Sequence, residues 1–167
     1  MGDIGVSMQH SENKPKILVV EDDADIQKVL CVFLEYADFA VCSVMDGQEA
    51  IRVIPEFSPD LIVLDLLMQP ISGWEVLDWL RNNHCMPVPP VLVLSALTHL
   101  TDQVRGFEEG ALEYLTKPTQ PSKIVESICS LLALSAEQRA LLRDRRMDEQ
   151  RRMVERLNAP QQDEFIY

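Results

Sequence analysis

Five short strand-like segments recur along this chain, and a segment with helical periodicity follows each of them. The segments are Ile17–Val20, Phe39–Val44, Leu61–Leu64, Val91–Leu94 and Leu112–Thr116. The first, third and fourth are apolar at every position, which is typical of strands that are buried on both faces. The alternation of such strands with helices predicts a parallel sheet that is covered by helices on both sides.

The connecting segments place apolar residues on one side of a helix. After the first strand, apolar residues follow the i, i+3, i+4, i+7, i+8 pattern of an amphipathic helix. These residues are Ile26, Val29, Leu30, Phe33 and Leu34. Helices are also predicted at residues 48–54, beyond Gly73, at 101–109 and at 124–132, and Gly110 is expected to end the fourth of the five.

Five strand–helix units joined in this way predict a doubly wound α/β fold. Right-handed crossovers and five strands favour the strand order 2-1-3-4-5. In such sheets the functional site lies at the carboxyl ends of the strands, beside the point where the strand order reverses. Strands one and three flank that point, so the residues that follow them are the first candidates for chemistry.

Ionisable and polar side chains follow four of the five strands. Glu21 and Asp22 come after the first strand, Asp65 after the third, Ser95 after the fourth and Lys117 after the fifth. Three carboxylates in one patch repel one another, so the patch suits Mg²⁺, which prefers oxygen ligands and keeps waters and phosphate oxygens. A carboxylate can attack phosphorus, while an amine and a hydroxyl bind phosphoryl oxygens. The pattern therefore predicts a phosphoryl-transfer site with Asp65 at its centre.

Four sequence segments, in this order, resemble a known family. They are ILVVEDDADI (Ile17–Ile26), LIVLDLLMQPISGWE (Leu61–Glu75), VLVLSA (Val91–Ala96) and GALEYLTKP (Gly110–Pro118). The chain resembles the receiver domain of bacterial two-component response regulators, in particular the single-domain type that is similar to chemotaxis regulators. The resemblance implies a flavodoxin-like fold at residues 15–134 and signalling by phosphorylation.

The resemblance also implies roles for the acidic residues. Asp65 matches the aspartate that receives a phosphoryl group from a histidine kinase or a phosphotransfer protein. Asp22, Asp65 and the main-chain carbonyl of Leu67 match the ligands of Mg²⁺, and Glu21 matches a residue that reaches the ion through water. The protein would then not be an enzyme in the usual sense, but a phosphoryl acceptor that promotes its own phosphorylation and dephosphorylation.

Three further residues match positions that bind phosphate or switch conformation in this family. Lys117 matches the phosphate-binding lysine, and Ser95 and Tyr114 match the conformational switch pair. The Lys117–Pro118 bond is typically cis in the family. After phosphorylation, Ser95 is expected to move toward the phosphoryl group and Tyr114 to turn inward. The face made by the fourth helix, fifth strand and fifth helix is then expected to dock a downstream protein or a second copy.

Two positions depart from the family pattern. The family usually has a proline four residues after the phosphorylated aspartate. Here Gln69 occupies that position, and Pro70 comes one place later. Gly73 keeps its usual distance, so the loop length is preserved. The segment Thr119–Pro121 lacks the common phenylalanine, so the start of the helix that follows is expected to differ.

Other interpretations of these residues stay open at the level of sequence. Asp22 and Asp23 could cap the first helix, and Ser95 and Tyr114 could be ordinary structural residues. A flavin-binding protein of this topology is disfavoured because acidic residues follow the first strand, where such a protein binds phosphate. A phosphatase of the haloacid dehalogenase type is disfavoured because Leu67 stands where its second aspartate would be. A receiver-like interaction module that works without phosphorylation is the remaining alternative.

Charge and apolar patterning bear on partners and location. The net charge of −12 disfavours nonspecific binding to nucleic-acid phosphates. The apolar stretches fall far short of the roughly 20 residues that a membrane span requires. Four cysteines without a C-x-x-C pair, and a start that does not resemble a secretory signal, predict a cytoplasmic protein. Residues 1–14 are expected to be a disordered leader, and residues 159–167 a flexible tail.

Residues 135–158 are predicted to form a separate charged helix. This segment has seven arginines and five acidic residues, with opposite charges at i, i+4. Its small net charge, its lack of aromatic residues and its broken heptad pattern argue against nucleic-acid binding and against a coiled coil. The 33 residues after position 134 are too few for a DNA-binding domain with its own core. We therefore expect a solvated extension or a helix that docks a partner.

Overall fold

The computed structural model of the protein describes residues 14–83 and 87–158. Most of the predicted leader and all of the predicted tail lie outside these residues. Among the described residues, none of the helices combines the length and the apolar character that are needed to cross a membrane. The helices and strands are β1 (Lys16–Val20), α1 (Ala24–Tyr36), β2 (Ala40–Val44), α2 (Gly47–Phe57), β3 (Leu61–Leu64), α3 (Gly73–Asn82), β4 (Val91–Ser95), α4 (Leu100–Glu108), β5 (Glu113–Thr116), α5 (Pro121–Leu132) and α6 (Ala136–Asn158).

A parallel sheet of five strands forms the centre of the fold, in the order β2-β1-β3-β4-β5. Val20 in β1 is paired with Val44 of β2 on one side and with Leu64 of β3 on the other. The predicted fold class and strand order are confirmed. The order reverses between β1 and β3, so the ends of these strands border the crevice where such sheets bind ligands.

Two apolar cores lie on opposite faces of the sheet, because successive side chains of a strand point to opposite faces. In β1, Leu18 and Val20 face the core made with α2, α3 and α4, whereas Ile17 and Val19 face the core made with α1 and α5. All four side chains are almost completely buried. Each fully buried aliphatic side chain contributes about 1.5–3 kcal/mol, so these doubly covered strands are a major source of stability.

The first and third helices begin at side-chain caps that satisfy free backbone N–H groups. Asp23 is the N-cap of α1 and accepts hydrogen bonds from the N–H groups of Asp25 and Ile26. Ser72 and Glu75 form a capping box at the start of α3, in which each side chain binds the other's backbone. These caps fix the direction in which α1 and α3 leave the carboxyl edge of the sheet.

Two later helix ends follow from the conformations of glycine and proline. Gly110 follows α4 with a φ of +114°, a left-handed conformation that glycine adopts without strain. Pro121 is the first residue of α5, where its missing N–H leaves no hydrogen bond unmade. Helix α5 therefore begins at a proline, although the phenylalanine that is common in this segment is absent.

The predicted charged helix is present as α6, and it packs against α4 and β5. Arg146 forms an ion pair with Glu113 of β5, and Arg151 forms one with Glu108 of α4. Met147 packs against the core that α4 covers. The expectation of a solvated extension is thus incomplete, because one side of the helix contacts other elements through these residues while most of its residues are exposed.

Candidate functional site

The carboxyl ends of β1 and β3 bring three acidic side chains together. Val20 and Leu64 are paired in the sheet, so Glu21 and Asp65, which follow them, leave neighbouring strands at the same level. Together with Asp22, each offers one carboxylate oxygen, and these oxygens all lie within 4.8 Å of one another. Glu21 and Asp65 are buried, at 2% and 5% exposure, whereas Asp22 is exposed. The cluster thus consists of two buried acids and one acid that is open to solvent.

A lysine from the end of β5 bridges the two buried acids. Lys117 Nζ lies 2.6 Å from Glu21 Oε2 and 2.9 Å from Asp65 Oδ2. The Lys117–Pro118 peptide bond is cis, as the resemblance implied. The backbone N–H of Lys117 donates to the carbonyl oxygen of Ser95 at 2.9 Å. The ammonium group is therefore fixed against both buried carboxylates.

Burial and charge act in opposite directions on these groups. Desolvation raises the pKa of Glu21, although its hydrogen bond with Lys117 offsets part of the rise. Burial lowers the pKa of Lys117, but its hydrogen bonds to Glu21 and Asp65 more than offset this, and its pKa is raised. One ammonium against three carboxylates leaves two negative charges. The donors are all oxygens, so the residues fit Mg²⁺, whose charge would balance the cluster.

The neighbouring acids Asp22 and Asp23 have different surroundings. Asp23 Oδ1 accepts hydrogen bonds from the backbone N–H groups of Asp25 and Ile26, both at 3.0 Å, and so caps α1. Asp22 instead contributes an oxygen to the acidic cluster. The capping interpretation is therefore correct for Asp23 and does not account for Asp22.

Gln27 supports the end of β1, although no pattern in the sequence pointed to it. Its Nε2 donates to the carbonyl oxygens of Glu21 at 3.1 Å and Val44 at 2.9 Å. These bonds hold the ends of β1 and β2 together beneath the acidic cluster. The sequence carries no signal for this role, because both partners are backbone carbonyls that only the folded sheet brings close to α1.

The loop after Asp65 packs closely against Gly73. A Cβ at Gly73 would lie 2.1 Å from the carbonyl oxygen of Asp65, so only glycine permits this approach. The N–H of Leu67 donates to Asp65 Oδ1 at 3.1 Å, and the Leu67 side chain is 49% exposed. The peptide bond between Gln69 and Pro70, where the sequence departs from the family pattern, is cis. The contacts of Asp65 with Gly73 and Leu67 are present in this loop.

Ser95 and Tyr114 meet at the backbone of Leu97. The Leu97 N–H donates to Ser95 Oγ at 3.3 Å, and the Tyr114 hydroxyl donates to the Leu97 carbonyl oxygen at 3.0 Å. Ser95 is completely buried, and Tyr114 is 8% exposed, with its ring centroid 6.5 Å from that of Phe107. The structure thus joins the two predicted switch residues and holds the Tyr114 ring inside. The dependence of this position on phosphorylation stays a prediction.

The buried Tyr114 hydroxyl predicts a loss of stability at alkaline pH. Burial raises the pKa of Tyr114 to about 12 from its ordinary value of 10.0. The folded protein therefore holds this proton more tightly than the unfolded chain, and the stability that results is lost as the pH rises from 10 toward 12. We expect the unfolding free energy in urea to fall over this interval. Tyr114→Phe should lack this component of the fall, and an equal fall in both proteins would contradict the explanation.

Known proteins with related sequences include regulators that are about twice as long. A family model described as the response regulator receiver domain matches residues 17–129. The chain is 35% identical over 118 residues to the "DNA-binding dual master transcriptional regulator RpaA" of Synechocystis sp., a match that covers 71% of this chain and 49% of that protein. It is 35% identical over 125 residues to the "Transcriptional regulatory protein ResD" of Bacillus subtilis, covering 75% and 51%. The chain thus spans about half the length of these relatives.

Solved receiver structures have the same fold. The Francisella response regulator 1452 receiver domain is 30% identical, with a TM-score of 0.67 over 71% of this chain and 97% of that one. The chemotaxis response regulator CheY4 of Vibrio cholerae is 25% identical, with a TM-score of 0.67 over 71% and 99%. Because the family model spans β1 to α5 and these structures share the fold, the chain belongs to the response regulator receiver family of two-component signalling proteins.

Proposed function

We propose that this chain receives a phosphoryl group on Asp65 from a histidine kinase or a phosphotransfer protein, with Mg²⁺ bound beside it. The observation that carries the proposal is the position of Lys117 Nζ, 2.9 Å from Asp65 Oδ2. The same Asp65 contributes to an oxygen cluster with Glu21 and Asp22. Family membership gives phosphorylation-based signalling as the general function, and its assignment to these residues is our proposal.

In the proposed reaction a carboxylate oxygen of Asp65 attacks the phosphorus of a donor phosphohistidine. The O–P bond forms as the P–N bond breaks, and the donor imidazole leaves with the electron pair. Lys117 stays protonated and stabilises charge on the transferred oxygens. Mg²⁺, when bound, neutralises part of that charge. Water later attacks phosphorus, which releases inorganic phosphate and returns Asp65 to its carboxylate form.

A small phosphodonor provides the direct test of this function. The protein is incubated with acetyl phosphate and Mg²⁺, and its intact mass is measured. We expect a gain of one phosphoryl group that disappears on standing, since an acyl phosphate hydrolyses. If the protein gains no phosphoryl mass although it binds the metal, the receiver-like interaction module that works without phosphorylation becomes the better explanation.

An apolar groove beside the site supports a protein as the physiological donor. The groove lies between α1 and the start of α5, and Val29, Lys117 and Pro121 are among the residues that border it. Nearby on α1, Val32 and Phe33 are 57% and 45% exposed. Exposed apolar side chains next to a charged site are typical of a surface that contacts another protein. A donor bound there could bring its phosphorylated side chain to Asp65.

Removal of Asp22 should weaken metal binding. Trp74 directly follows Gly73, and Gly73 packs closely against the backbone of Asp65. The fluorescence of Trp74 should therefore report Mg²⁺ binding. We expect a saturating change in the wild-type protein and little or none in Asp22→Ala, which removes one of the three oxygen donors. Asp23→Ala is the matched control, because Asp23 caps α1, and it should keep the response. Unchanged saturation in Asp22→Ala would show that this carboxylate is not a ligand.

The exposed leucine after the site should affect how long the phosphoryl group lasts. Leu67 is 49% exposed, two residues after Asp65, and with Leu97 we expect it to flank the path of an attacking water. Leu67→Asn should orient water there and shorten the phosphoryl lifetime, measured as the decay of the phosphorylated mass. Leu141→Asn, at an exposed leucine of α6, should leave the lifetime unchanged. An unchanged or longer lifetime in Leu67→Asn would show that this side chain does not control water access.

We also propose that this part of the chain signals in the cytoplasm through protein contacts. The relatives named as DNA-binding or transcriptional regulators stand against our expectation that direct nucleic-acid binding is disfavoured, but the match covers only about half of each of them. Their names therefore describe longer proteins and do not assign DNA binding to this chain. For this chain we propose that Ser95 and Tyr114 change the face made by α4, β5 and α5, which a downstream protein or a second copy then recognises.

A further inference from the structure

Helix α6 is held on α4 and β5 by two arginine–glutamate pairs. Arg151 donates from Nε and Nη2 to Glu108 Oε1 of α4, at 3.2 and 2.6 Å. Arg146 donates from Nη1 to Glu113 Oε1 of β5. The Arg146 and Glu113 side chains are 27% and 16% exposed, so this pair is better shielded from solvent than an ordinary surface pair. The two pairs fix α6 against two different elements.

An apolar contact accompanies the two ion pairs. Met147 lies next to Arg146 in α6 and shares a pocket with Phe107 of α4 and with Leu77 and Leu80 of α3. Phe107 is 3% exposed and belongs to the core on that face of the sheet. Charge also favours the contact, because the segment that forms α6 has more basic than acidic residues in a chain whose net charge is −12. Apolar burial and charge therefore both stabilise α6 in this position.

The contact is linked to Tyr114 through two neighbours. Glu113 Oε1, which accepts from Arg146, also accepts the backbone N–H of Tyr114 at 3.1 Å. On the other side, the Tyr114 ring centroid lies 6.5 Å from that of Phe107, which borders the same pocket as Met147. Tyr114 belongs to β5, and its ring packs against α4. These are the two elements with which α6 forms its ion pairs.

We propose that α6 is an intramolecular ligand of the α4–β5 surface, defined by Glu108, Glu113 and Phe107, and that its binding keeps Tyr114 buried. A second protein that uses this surface has to displace α6. Such a partner would present what α6 presents, namely a helix with two arginines and an unbranched apolar side chain between them. The proposal goes beyond the proposed function and is tested without phosphorylation, so the two can fail separately.

Hydrogen exchange of the 167-residue chain tests whether α6 is bound in solution. The change Arg146→Glu with Arg151→Glu places acidic side chains opposite Glu113 and Glu108. We expect the backbone amides of α6 to exchange about tenfold faster, because an undocked helix frays. The matched control is Arg145→Glu with Arg152→Glu, which makes the same charge change on α6 at two arginines that form no ion pair or side-chain hydrogen bond among the described residues. Equal exchange in the two variants would overturn the proposal.

A charge swap at the exposed pair separates this contact from general damage to the helix. Arg151→Glu alone should speed exchange in α6, and the addition of Glu108→Arg should restore most of the protection. Both side chains are about half exposed, at 54% and 44%, so the swap should not disturb the core. Failure of the second change to restore protection would show that this pair does not hold α6.

Side-chain footprinting with hydroxyl radicals tests the effect on Tyr114. Oxidation of Tyr114, measured by mass spectrometry against Tyr36 in the same sample, reports its exposure. Tyr36 is 92% exposed and is the last residue of α1, so it serves as an internal reference. We expect Tyr114 oxidation to rise severalfold in Arg146→Glu with Arg151→Glu and not in the control. Faster exchange of α6 without a change at Tyr114 would overturn the claim that α6 keeps the ring buried.

Discussion

Replacement of Asp65 by asparagine should abolish the gain of phosphoryl mass from acetyl phosphate and Mg²⁺. An amide cannot replace the carboxylate as a nucleophile toward phosphorus, and the change also removes the charge that Lys117 Nζ contacts at 2.9 Å. The fold should survive, because asparagine has nearly the same shape and the substitution lowers the repulsion among the clustered acids. Circular dichroism and urea unfolding of the variant would check this.

Asp78→Asn is the matched control for the phosphorylation experiment. Asp78 lies on the exposed side of α3, where it pairs with Arg81 at 2.7 Å and takes no part in the cluster. This variant should gain phosphoryl mass as the wild-type protein does. A labile phosphoryl mass that persists in Asp65→Asn would place the nucleophile at another residue and would contradict the proposed function.

Replacement of Lys117 by methionine should destabilise the protein. The variant leaves Glu21 and Asp65 buried, at 2% and 5% exposure, without the ammonium that bridges them. Loss of one partner from a buried ion pair costs about 3 kcal/mol or more, and we expect a loss near that lower value because Asp22 keeps one side open to solvent. Unfolding in urea without divalent metal measures it.

Mg²⁺ should recover much of the stability that Lys117→Met loses. The ion would supply positive charge to the same three carboxylates, so it should stabilise the variant more than it stabilises the wild-type protein. Lys123→Met, at an exposed lysine of α5, is the matched control and should change neither stability nor its dependence on Mg²⁺. If Lys117→Met is as stable as the wild-type protein, the lysine does not neutralise the buried acids.

Local sequence patterns were sufficient to predict the sheet and the membership of the acidic cluster. Strands such as Leu61–Leu64 are apolar at every position because helices cover both faces, and this pattern identifies a parallel sheet. The carboxyl ends of parallel strands lie at one edge, so Glu21, Asp65 and Lys117 could be predicted to meet. The ends of helices and strands differ from the predicted ones by up to three residues, as at the end of α2.

The division of roles among neighbouring side chains depended on tertiary structure. Asp22 and Asp23 are the same residue type at adjacent positions, yet Asp23 caps α1 and Asp22 joins the cluster. Gln27 supports the end of β1 through carbonyl groups that are distant in sequence. Such roles depend on the direction in which a side chain leaves the backbone, and the chemical type of the residue does not specify that direction.

The charged helix at residues 135–158 could be predicted from the sequence, whereas its position on the folded domain could not. Arg151 has Glu155 at i+4 and could have paired with it within the helix, whereas Arg146 has Gln150 at that spacing. Arg146 and Arg151 instead pair with Glu113 and Glu108. Helix formation depends on contacts between near neighbours in the chain, which the sequence displays. The choice between partners depends on which distant acidic residues the completed fold places within reach, and on the apolar contact of Met147 that forms with them.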